Sequence, residues 1–346
     1  MKTGYLLINL GTPRSPAIAD VRAYLNEFLM DPYVLDTPWW LRRLIVSAFI
    51  LPFRPKKSAL AYASIWTEQG SPLLVLSASL AKQLQHLLAQ PLALAMRYGQ
   101  PSIDDAVKDL LDQGVQHIVV APLYPQHADS TVTTSVQAVT NAVNNRAGDA
   151  ISIGVLPPFY AASEHIDALQ RSIANHLPTP FDHLLFSYHG LPERHITRSD
   201  PTGKHCLQSG DCCTTPSQAH ATCYRHQALT TSRLVAEALG LEATKYSVSF
   251  QSRLGRLPWL TPYTDQTLAE LPSQGVSHLA VVCPAFVADN LETLEEISIQ
   301  GRQIFQEAGG KSLTLIPCLN DDPLWVHGLA SLLERYTTAA IVDTSA

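Results

Sequence analysis

Short apolar segments alternate with helical patterns along most of this 346-residue chain. The apolar segments are too short for helices and favour β-branched residues, which predicts buried strands. Helical patterns, such as those at 103–113, 164–176 and 232–239, separate the strands, so we expect parallel sheets covered on both faces. The predicted strands are 5–9, 92–97, 117–121, 150–155, 183–187, 245–249, 278–283 and 312–316.

An internal repeat indicates how these elements are grouped. GVQHIVVAPLYPQHAD at 114–129 is similar to GVSHLAVVCPAFVAD at 275–289, and each reads as a helix end, a buried strand, a proline and a loop. The fold class is therefore predicted as α/β, with two similar doubly wound, Rossmann-like domains, for which the length leaves room at about 150 residues each. The predicted bounds are 1–155, 156–325 and a C-terminal helix and tail at 326–346.

Composition excludes several classes of protein. The chain is 46% hydrophobic and 16% charged with a net charge of −6, which fits neither a disordered chain nor a nucleic-acid-binding surface. The apolar run at 5–10 reads as a first strand and not as a secretory signal. The longest apolar stretch, 44–53, is shorter than the roughly 20 residues needed to span a bilayer. These features predict a cytoplasmic location, where thiols stay reduced.

Two predicted strands lead to titratable side chains where they end. His189 follows the strand at 183–187, and Glu292 and Glu296 lie four residues apart in a helix that begins near Leu291. Histidine titrates near neutral pH and can accept a proton or bind iron, and the two carboxylates share one helix face. The alternatives are an ordinary loop histidine and acidic residues that complement a helix dipole. The pattern favours an enzyme that moves protons and a metal ion.

The chain resembles the ferrochelatase family, which inserts ferrous iron into a porphyrin. The resemblance covers nearly the whole chain, and the phrases that carry it are NLGTP at 9–13, IWTEQGSP at 65–72, MRYG at 96–99, PLYPQ at 122–126, FSYHGLP at 186–192, FQSRLGRLPWLTPYTD at 250–265 and CPAFVADNLETLEE at 283–296. It implies the chelatase fold and a lyase that converts protoporphyrin IX and Fe²⁺ into protohaem and two protons.

Two alternative functions stay open. One is a chelatase for coproporphyrin or a cobalt-precorrin, although the resemblance favours protoporphyrin because coproporphyrin-type relatives tend to carry tyrosine where this chain has Leu10. The other is a non-catalytic haem carrier on the same fold.

The resemblance also implies roles for particular residues. His189 is the family's essential histidine and, with Glu292, either takes protons or holds the metal. The family often has a third acid where this chain has Gln300. The other implied residues are Glu296, Arg97 and Tyr98 in a proton and metal track, and Arg54, Tyr62, Ser252 and Trp259 in substrate binding. Arg54 could equally belong to a general basic patch with Arg42, Arg43, Lys56 and Lys57, and Trp259 could be a core residue.

The segment PWWLRRLIVSAFILPFRPKK at 38–57 predicts a short helix between two prolines. The helix is apolar nearly all round and is followed by basic residues. A buried core helix would have a similar pattern. Adjacent tryptophans flanked by basic residues favour a helix at a membrane interface, which the resemblance places, as the lip at 37–57, at the mouth of the pocket. We therefore expect peripheral association with the inner membrane.

Four cysteines lie in one loop without helical or strand periodicity: Cys206, Cys212, Cys213 and Cys223. A loop of this length in a compact enzyme needs an internal link, and disulfides are rare in a reducing compartment. The thiols suggest a [2Fe–2S] cluster or a zinc ion, or they bind nothing. His205, His220 and His226 keep zinc possible. Some bacterial ferrochelatases resemble this chain in having such an internal cluster.

Overall fold

The computed structural model describes residues 1–253, 255 and 257–343, so the end of the predicted tail at 344–346 lies outside the described residues. All eight predicted strands are confirmed, and they form two four-stranded parallel sheets with the orders β2-β1-β3-β4 and β6-β5-β7-β8. The strands are β1 (Thr3–Gly11), β2 (Leu92–Tyr98), β3 (His117–Pro122), β4 (Ser152–Val155), β5 (His183–His189), β6 (Tyr246–Gln251), β7 (His278–Val282) and β8 (Ser312–Leu315).

Helices cover both sheets, because strands without an alternation of apolar and polar residues are buried on both faces. The α-helices are α1 (Ile18–Leu29), α2 (Trp39–Ile45), α3 (Arg54–Ile65), α4 (Pro72–Leu87), α5 (Ile103–Asp112), α6 (Thr134–Ala147), α7 (Ser163–His176), α8 (Glu193–Arg198), α9 (Tyr224–Ala238), α10 (Thr264–Glu270), α11 (Arg302–Glu307) and α12 (Pro323–Asp343). Wider π-helical turns occur at Val46–Ile50, Asp129–Thr133 and Glu292–Gly301. Short 3₁₀ turns lie at Gly148–Ala150, Gln218–Ala221, Ala243–Lys245 and Leu271–Gln274.

The chain divides into two compact units. The first consists of Met1–Tyr124, Asp129–Pro157 and the segment that starts at Asp321, and the second consists of Pro125–Ala128 and Pro158–Asn320. Helix α12 belongs to the first unit because its side chains bond to strands there. The Tyr336 hydroxyl accepts from the Val155 amide at 3.0 Å, and Thr337 Oγ1 lies 3.2 Å from the Tyr5 hydroxyl.

The two units repeat the same sheet, which confirms the predicted pair of similar doubly wound units. The third strand in each, β3 or β7, begins with a histidine that contacts a serine at the start of the next strand. His117 Nδ1 lies 2.8 Å from Ser152 Oγ, and His278 Nδ1 lies 2.8 Å from Ser312 Oγ. The internal sequence repeat therefore reflects a repeated packing arrangement.

Each unit has its own hydrophobic core between its sheet and its helices. The first core includes fully buried Leu6, Ile8, Val107, Ile118 and Val120, and the second includes Leu185, Leu279, Val281, Ile297 and Phe305. Burial of one such large side chain stabilises a fold by about 1.5–3 kcal/mol. Ile297 is part of the helix that carries Glu292 and Glu296, so the second core fixes the position of that helix.

Gly11 is required where β1 ends. Its φ is +109°, and a Cβ atom there would lie 1.8 Å from the carbonyl oxygen of Tyr98. Gly11 and Tyr98 are direct partners in the parallel register of β1 and β2. The glycine in the NLGTP phrase therefore lets the ends of these two strands approach each other closely.

Candidate active site

His189 is the last residue of β5, and it is half-buried where the rest of that strand is fully buried. Its Nδ1 lies 2.7 Å from the carbonyl oxygen of Gly190. A carbonyl can only accept, so Nδ1 donates and, in the neutral ring, Nε2 keeps its lone pair. Burial lowers the pKa of His189, while Glu296 and the bond to Gly190 act in the opposite direction. The ring is thus held neutral, with one nitrogen able to accept a proton or bind a cation.

The acidic residues lie on a π-helical segment, Glu292–Gly301, which directly follows Leu291. The prediction that the helix begins near Leu291 is confirmed. Its hydrogen bonds span five residues and not four, and such segments are often found at functional sites. The wider turn has one unexpected effect: Gln300 Nε2 donates to both carboxylate oxygens of Glu295, at 2.7 and 2.8 Å. Gln300 is therefore paired with Glu295.

Glu296 is a buried acid of the site with a perturbed pKa. Burial, together with the charge of Glu292, raises its pKa to about 7, although Ser252 and His189 act to lower it. Ser252 Oγ donates a short hydrogen bond to Glu296 Oε2. Glu296 and His189 thus have opposite pKa shifts that bring both groups toward neutrality, a pattern typical of proton-transfer sites.

Ser252 directly follows β6 and has a φ of +59°, a rare conformation for a residue with a side chain. The preceding residue, Gln251, is buried and holds the site together. Gln251 Oε1 accepts from Ser187 Oγ at 2.6 Å, and Gln251 Nε2 donates to the carbonyl of Glu292 at 3.3 Å. Our sequence reasoning missed Gln251, and the available signal was a polar side chain at the end of a predicted buried strand.

In the first unit, Arg97 and Tyr98 form a buried polar network around Asp31. Asp31 Oδ2 accepts from Arg97 at 2.5 Å, from the Tyr98 hydroxyl at 2.9 Å and from Thr134 Oγ1 at 2.6 Å. Burial raises the pKa of Tyr98, and the negative charge of Asp31 adds to this effect. Tyr98 therefore stays protonated as a donor. Asp31 was also missed, because an acidic residue in a loop does not indicate its partners.

The four residues predicted to bind the substrate are divided between the units. Arg54 is exposed at the start of α3, and Tyr62 is buried on the same helix, where its ring packs edge-on against Tyr24 and Trp66. Trp259 is half-buried and forms a β-bridge with Pro192, just after His189 and Gly190. The second unit thus brings Trp259 and Ser252 near the histidine loop and the acidic helix, respectively.

The predicted helix between Pro38 and Pro52 is confirmed as α2 followed by the π-turn at Val46–Ile50. It presents large apolar side chains to solvent, with exposed fractions of 65% for Trp39, 65% for Trp40 and 67% for Phe49, and Phe53, just after the π-turn, is 74% exposed. The alternative of a buried core helix is therefore wrong. Among the described residues, the helices all lack the combined length and apolar character needed to cross a bilayer.

Arg42 does not belong to a general basic patch, and that part of the alternative is also wrong. Its side chain is buried, and its Nη1 donates to the carbonyls of Leu35 and Thr37, each at 2.9 Å. Arg42 thus anchors α2 to the preceding loop. The exposed basic residues around the helix are Arg43, Arg54, Lys56 and Lys57.

All four loop cysteines are buried free thiols. The thiol of Cys223 interacts with those of Cys206 and Cys213, and Cys213 also interacts with Cys212. Arg225 Nη1 donates to Cys213 Sγ at 3.4 Å. In the part of the chain that the structure describes, no three His, Cys, Asp or Glu side chains form a group that could hold one metal ion. The four thiols therefore interact with one another without forming a single coordination sphere among the described residues.

The three histidines near this loop bond to its backbone carbonyls. His205 Nε2 and His220 Nε2 lie 2.6 and 2.9 Å from the carbonyl oxygen of Cys212, and His226 Nδ1 lies 2.7 Å from that of Cys213. Because carbonyls accept, these three nitrogens are donors. The histidines therefore hold the backbone of the cysteine loop.

The fold is that of the two-unit chelatases. The structure titled SirB from Bacillus subtilis with Fe³⁺ matches with a TM-score of 0.56 and 13% identity, covering 97% of this chain and 96% of that one. The structure of the sirohydrochlorin chelatase SirB from Bacillus subtilis subspecies spizizenii in complex with cobalt also matches, with a TM-score of 0.56, 10% identity, and coverage of 97% and 95%. At these identities the likeness shows the fold alone.

Sequence comparison then gives the family. The model described as Ferrochelatase matches residues 2–337. A ferrochelatase of Pseudomonas fluorescens (strain Pf0-1) is 54% identical over 332 residues, which cover 95% of this chain and 97% of that protein. A ferrochelatase of Azotobacter vinelandii (strain DJ / ATCC BAA-1303) is 54% identical over 329 residues, covering 94% and 97%. The chain belongs to the ferrochelatase family and is thus an enzyme, a metal chelatase of the lyase class.

The raised pKa of Glu296 predicts a pH-dependent effect on stability. Between the ordinary value of 4.5 and about 7, the folded protein holds a proton on Glu296 that the unfolded chain has lost. The free energy of unfolding therefore falls as the pH rises through this window. Glu296→Gln removes the titration, so the variant should gain stability over the wild type between pH 5 and pH 8, on the order of 2 kcal/mol, as measured by urea denaturation.

Glu307→Gln, at an exposed position on α11, is the matched control. An equal gain in both variants would contradict a specific contribution from Glu296.

Proposed function

We propose that this protein inserts Fe²⁺ into protoporphyrin IX to give protohaem and two protons, as a step of haem biosynthesis. The observation that carries this proposal is the pairing of His189 with Glu296, whose pKa is raised to about 7. Removal of two pyrrole protons near neutral pH requires proton acceptors, and the pKa of an efficient acceptor lies near the working pH. Membership of the ferrochelatase family supports iron as the metal substrate, and Leu10 supports protoporphyrin over coproporphyrin. Family membership does not favour the cobalt-precorrin chelatase or the haem carrier.

In the proposed mechanism, His189 Nε2 and the carboxylate of Glu292 meet the porphyrin nitrogens and the iron. The pyrrole protons pass from this site to Glu296, whose short bond from Ser252 stabilises its ionised form. Each transfer leaves a nitrogen lone pair for the iron, so one Fe²⁺ enters as two protons leave. The raised pKa of Glu296 lets it hold a proton and release it again at neutral pH.

The remaining residues bind and orient the substrate. The flat ring of Trp259 suits a macrocycle, and binding energy from the porphyrin rim offsets the cost of bending it. Arg54 is exposed and can bind both oxygens of a propionate, with Tyr62 on the same helix. Ser252 has a second role through its bond to Glu296. We assign Arg97 and Tyr98 to the proton and metal track, with their network to Asp31 as its support.

His189→Ala tests this assignment. We expect anaerobic insertion of Fe²⁺ into protoporphyrin, followed by absorbance, to fall by at least about 100-fold, because general acid–base catalysis by a side chain contributes about 10²–10⁴-fold. Porphyrin binding, measured by fluorescence quenching, should be retained.

His327→Ala, at an exposed histidine on α12, should leave turnover unchanged. Wild-type protein that binds haem tightly but shows no insertion would overturn the enzyme assignment in favour of a carrier.

We propose further that the cysteine loop holds a [2Fe–2S] cluster through Cys206, Cys212, Cys213 and Cys223. Such a cluster takes two thiolates on each iron, and the loop supplies four buried free thiols that interact with one another. The cluster would link a loop that has no helix or strand from Ser199 to Ser217. Since metal insertion transfers no electrons, its role would be structural or regulatory.

Anaerobically purified protein should therefore be coloured and contain about two iron and two acid-labile sulfide atoms per chain. Cys212→Ser should lose both, whereas Cys318→Ser, at a buried cysteine outside the loop, should keep them. Zinc without sulfide, or no metal in the wild type, would rule out the cluster.

We also propose that the protein is peripheral on the inner membrane and binds it through α2 and the π-turn that follows. The exposed side chains of Trp39, Trp40, Phe49 and Phe53 form an apolar surface, and Arg43, Lys56 and Lys57 lie beside it. Apolar side chains with flanking cations suit an anionic lipid interface. A poorly soluble porphyrin could then be taken up directly from the bilayer.

The double change Trp39→Ala/Trp40→Ala should weaken binding to anionic phospholipid vesicles by at least about tenfold, because two large apolar surfaces leave the lipid. Vesicle co-sedimentation at low and high salt measures the effect. Leu324→Ala, at an exposed apolar residue on α12, is the control. Equal binding by all three proteins would exclude this surface as the membrane contact.

A further inference from the structure

Helix α9 holds the end of β5 through two tyrosine hydroxyls. The Tyr224 hydroxyl donates to the carbonyl oxygen of His189 at 2.9 Å, and the Tyr188 hydroxyl lies 2.8 Å from Ser232 Oγ. Tyr224 is the first residue of α9 and is only 6% exposed. A side chain at the start of a helix thus bonds directly to the backbone of the proposed catalytic histidine.

The peptide unit between His189 and Gly190 is held on both sides. Its carbonyl accepts from Tyr224, and its N–H donates to the carbonyl of Gln251 at 2.6 Å. The next carbonyl, that of Gly190, accepts from His189 Nδ1 and so orients the imidazole ring. Rotation of the first peptide plane would move the second carbonyl and with it the ring. The Tyr224 hydroxyl therefore controls the direction of the free Nε2.

Tyr224 is also directly attached to the cysteine loop. The preceding residue, Cys223, caps α9 by accepting from the His226 amide at 3.5 Å, and its thiol interacts with those of Cys206 and Cys213. One residue earlier, Thr222 Oγ1 donates to the carbonyl of Ser199 at 2.6 Å, which closes the base of the loop. Order in the loop thus fixes the helix start from which Tyr224 extends.

We propose that Tyr224 is a positioning residue that couples the order of the cysteine loop to the placement of His189. The inference rests on the proposed function for the role of His189, but the coupling itself is a statement about the backbone. When the loop is ordered, Tyr224 holds the His189 carbonyl and the imidazole faces the reacting nitrogens. When the loop loosens, the carbonyl loses its donor and the ring orientation broadens. The loop thereby influences catalysis without touching the substrate.

The test compares wild type, Tyr224→Phe, a loop variant and their double variant. Phe keeps the packing and removes only the hydroxyl, and Cys213→Ser disturbs the loop. Ser232→Ala is the matched control, because it removes the other hydroxyl contact between α9 and β5. Amide hydrogen exchange of the 186–192 segment reports the backbone directly. The kinetic constants kcat and KM for porphyrin insertion report the consequence.

We expect Tyr224→Phe to raise amide exchange at 189–191 and to lower kcat about fivefold, with KM for porphyrin within about twofold. The fivefold figure corresponds to the roughly 1 kcal/mol that one buried hydrogen bond contributes to holding the ordered conformation. Cys213→Ser should have the same two effects in wild type and add little in the Tyr224→Phe background. Ser232→Ala should change neither the amide exchange at 189–191 nor kcat. A merely structural role for Tyr224 would instead lower stability without this dependence on the loop.

Equal and additive effects of the loop variant in both backgrounds, or unchanged exchange in Tyr224→Phe, would overturn the coupling. If Cys213→Ser does not fold, Asp200→Asn replaces it, because the Asp200 carboxylate accepts from the amides of His205 and Cys206 and orders the same loop. The exchange result is independent of turnover. If the wild type did not insert iron, the proposed function would be refuted, but the exchange data would still test the coupling.

Discussion

Parallel pairing of β5 with its neighbours is the constraint on which the candidate site depends. Parallel strands end at the same edge of a sheet, so whatever follows them must meet there. Because His189 pairs with Gln251, the residue after Gln251 starts beside the histidine loop. Strand β7 ends at the same edge and leads to the acidic helix. The site is thus assembled by main-chain geometry, and Gln251 links its parts through bonds to Ser187 and Glu292.

The sequence was sufficient for the strands, the repeat and the placement of His189 and Glu292 after strands β5 and β7, because each depends on a strong local pattern. A buried parallel strand is a short apolar run, and function concentrates where such a run ends. The π-helical form of Glu292–Gly301 could not be predicted, since no residue preference separates hydrogen bonds that span five residues from those that span four. The pairing of Gln300 with Glu295 and the bond from Ser252 to Glu296 were hidden for the same reason.

The sequence also could not predict which charged residues are buried. Arg42 and Arg43 are adjacent in a basic segment, yet Arg42 is buried against two carbonyls while Arg43 is exposed. A run of like charges describes composition and does not indicate which member faces the interior. Asp31 is a similar case, because its partner Arg97 lies 66 residues away in the sequence. Only the fold brings such pairs together, and a buried charge must find a partner once the fold forms.

The electrostatics of the site suggest why proton release and metal entry would be linked. Burial of Glu296 raises its pKa most, and the charge of Glu292 raises it further, because two carboxylates in a poorly solvated site resist being ionised together. An arriving dication would remove that repulsion and make the fully ionised pair favourable. Proton loss from Glu296 would then accompany the approach of iron. The carboxylate would regain its proton affinity once the iron had moved into the porphyrin, and it could then take up a proton displaced from the macrocycle. The repulsion between the two buried carboxylates would therefore link the arrival of one Fe²⁺ to the movement of a proton at Glu296.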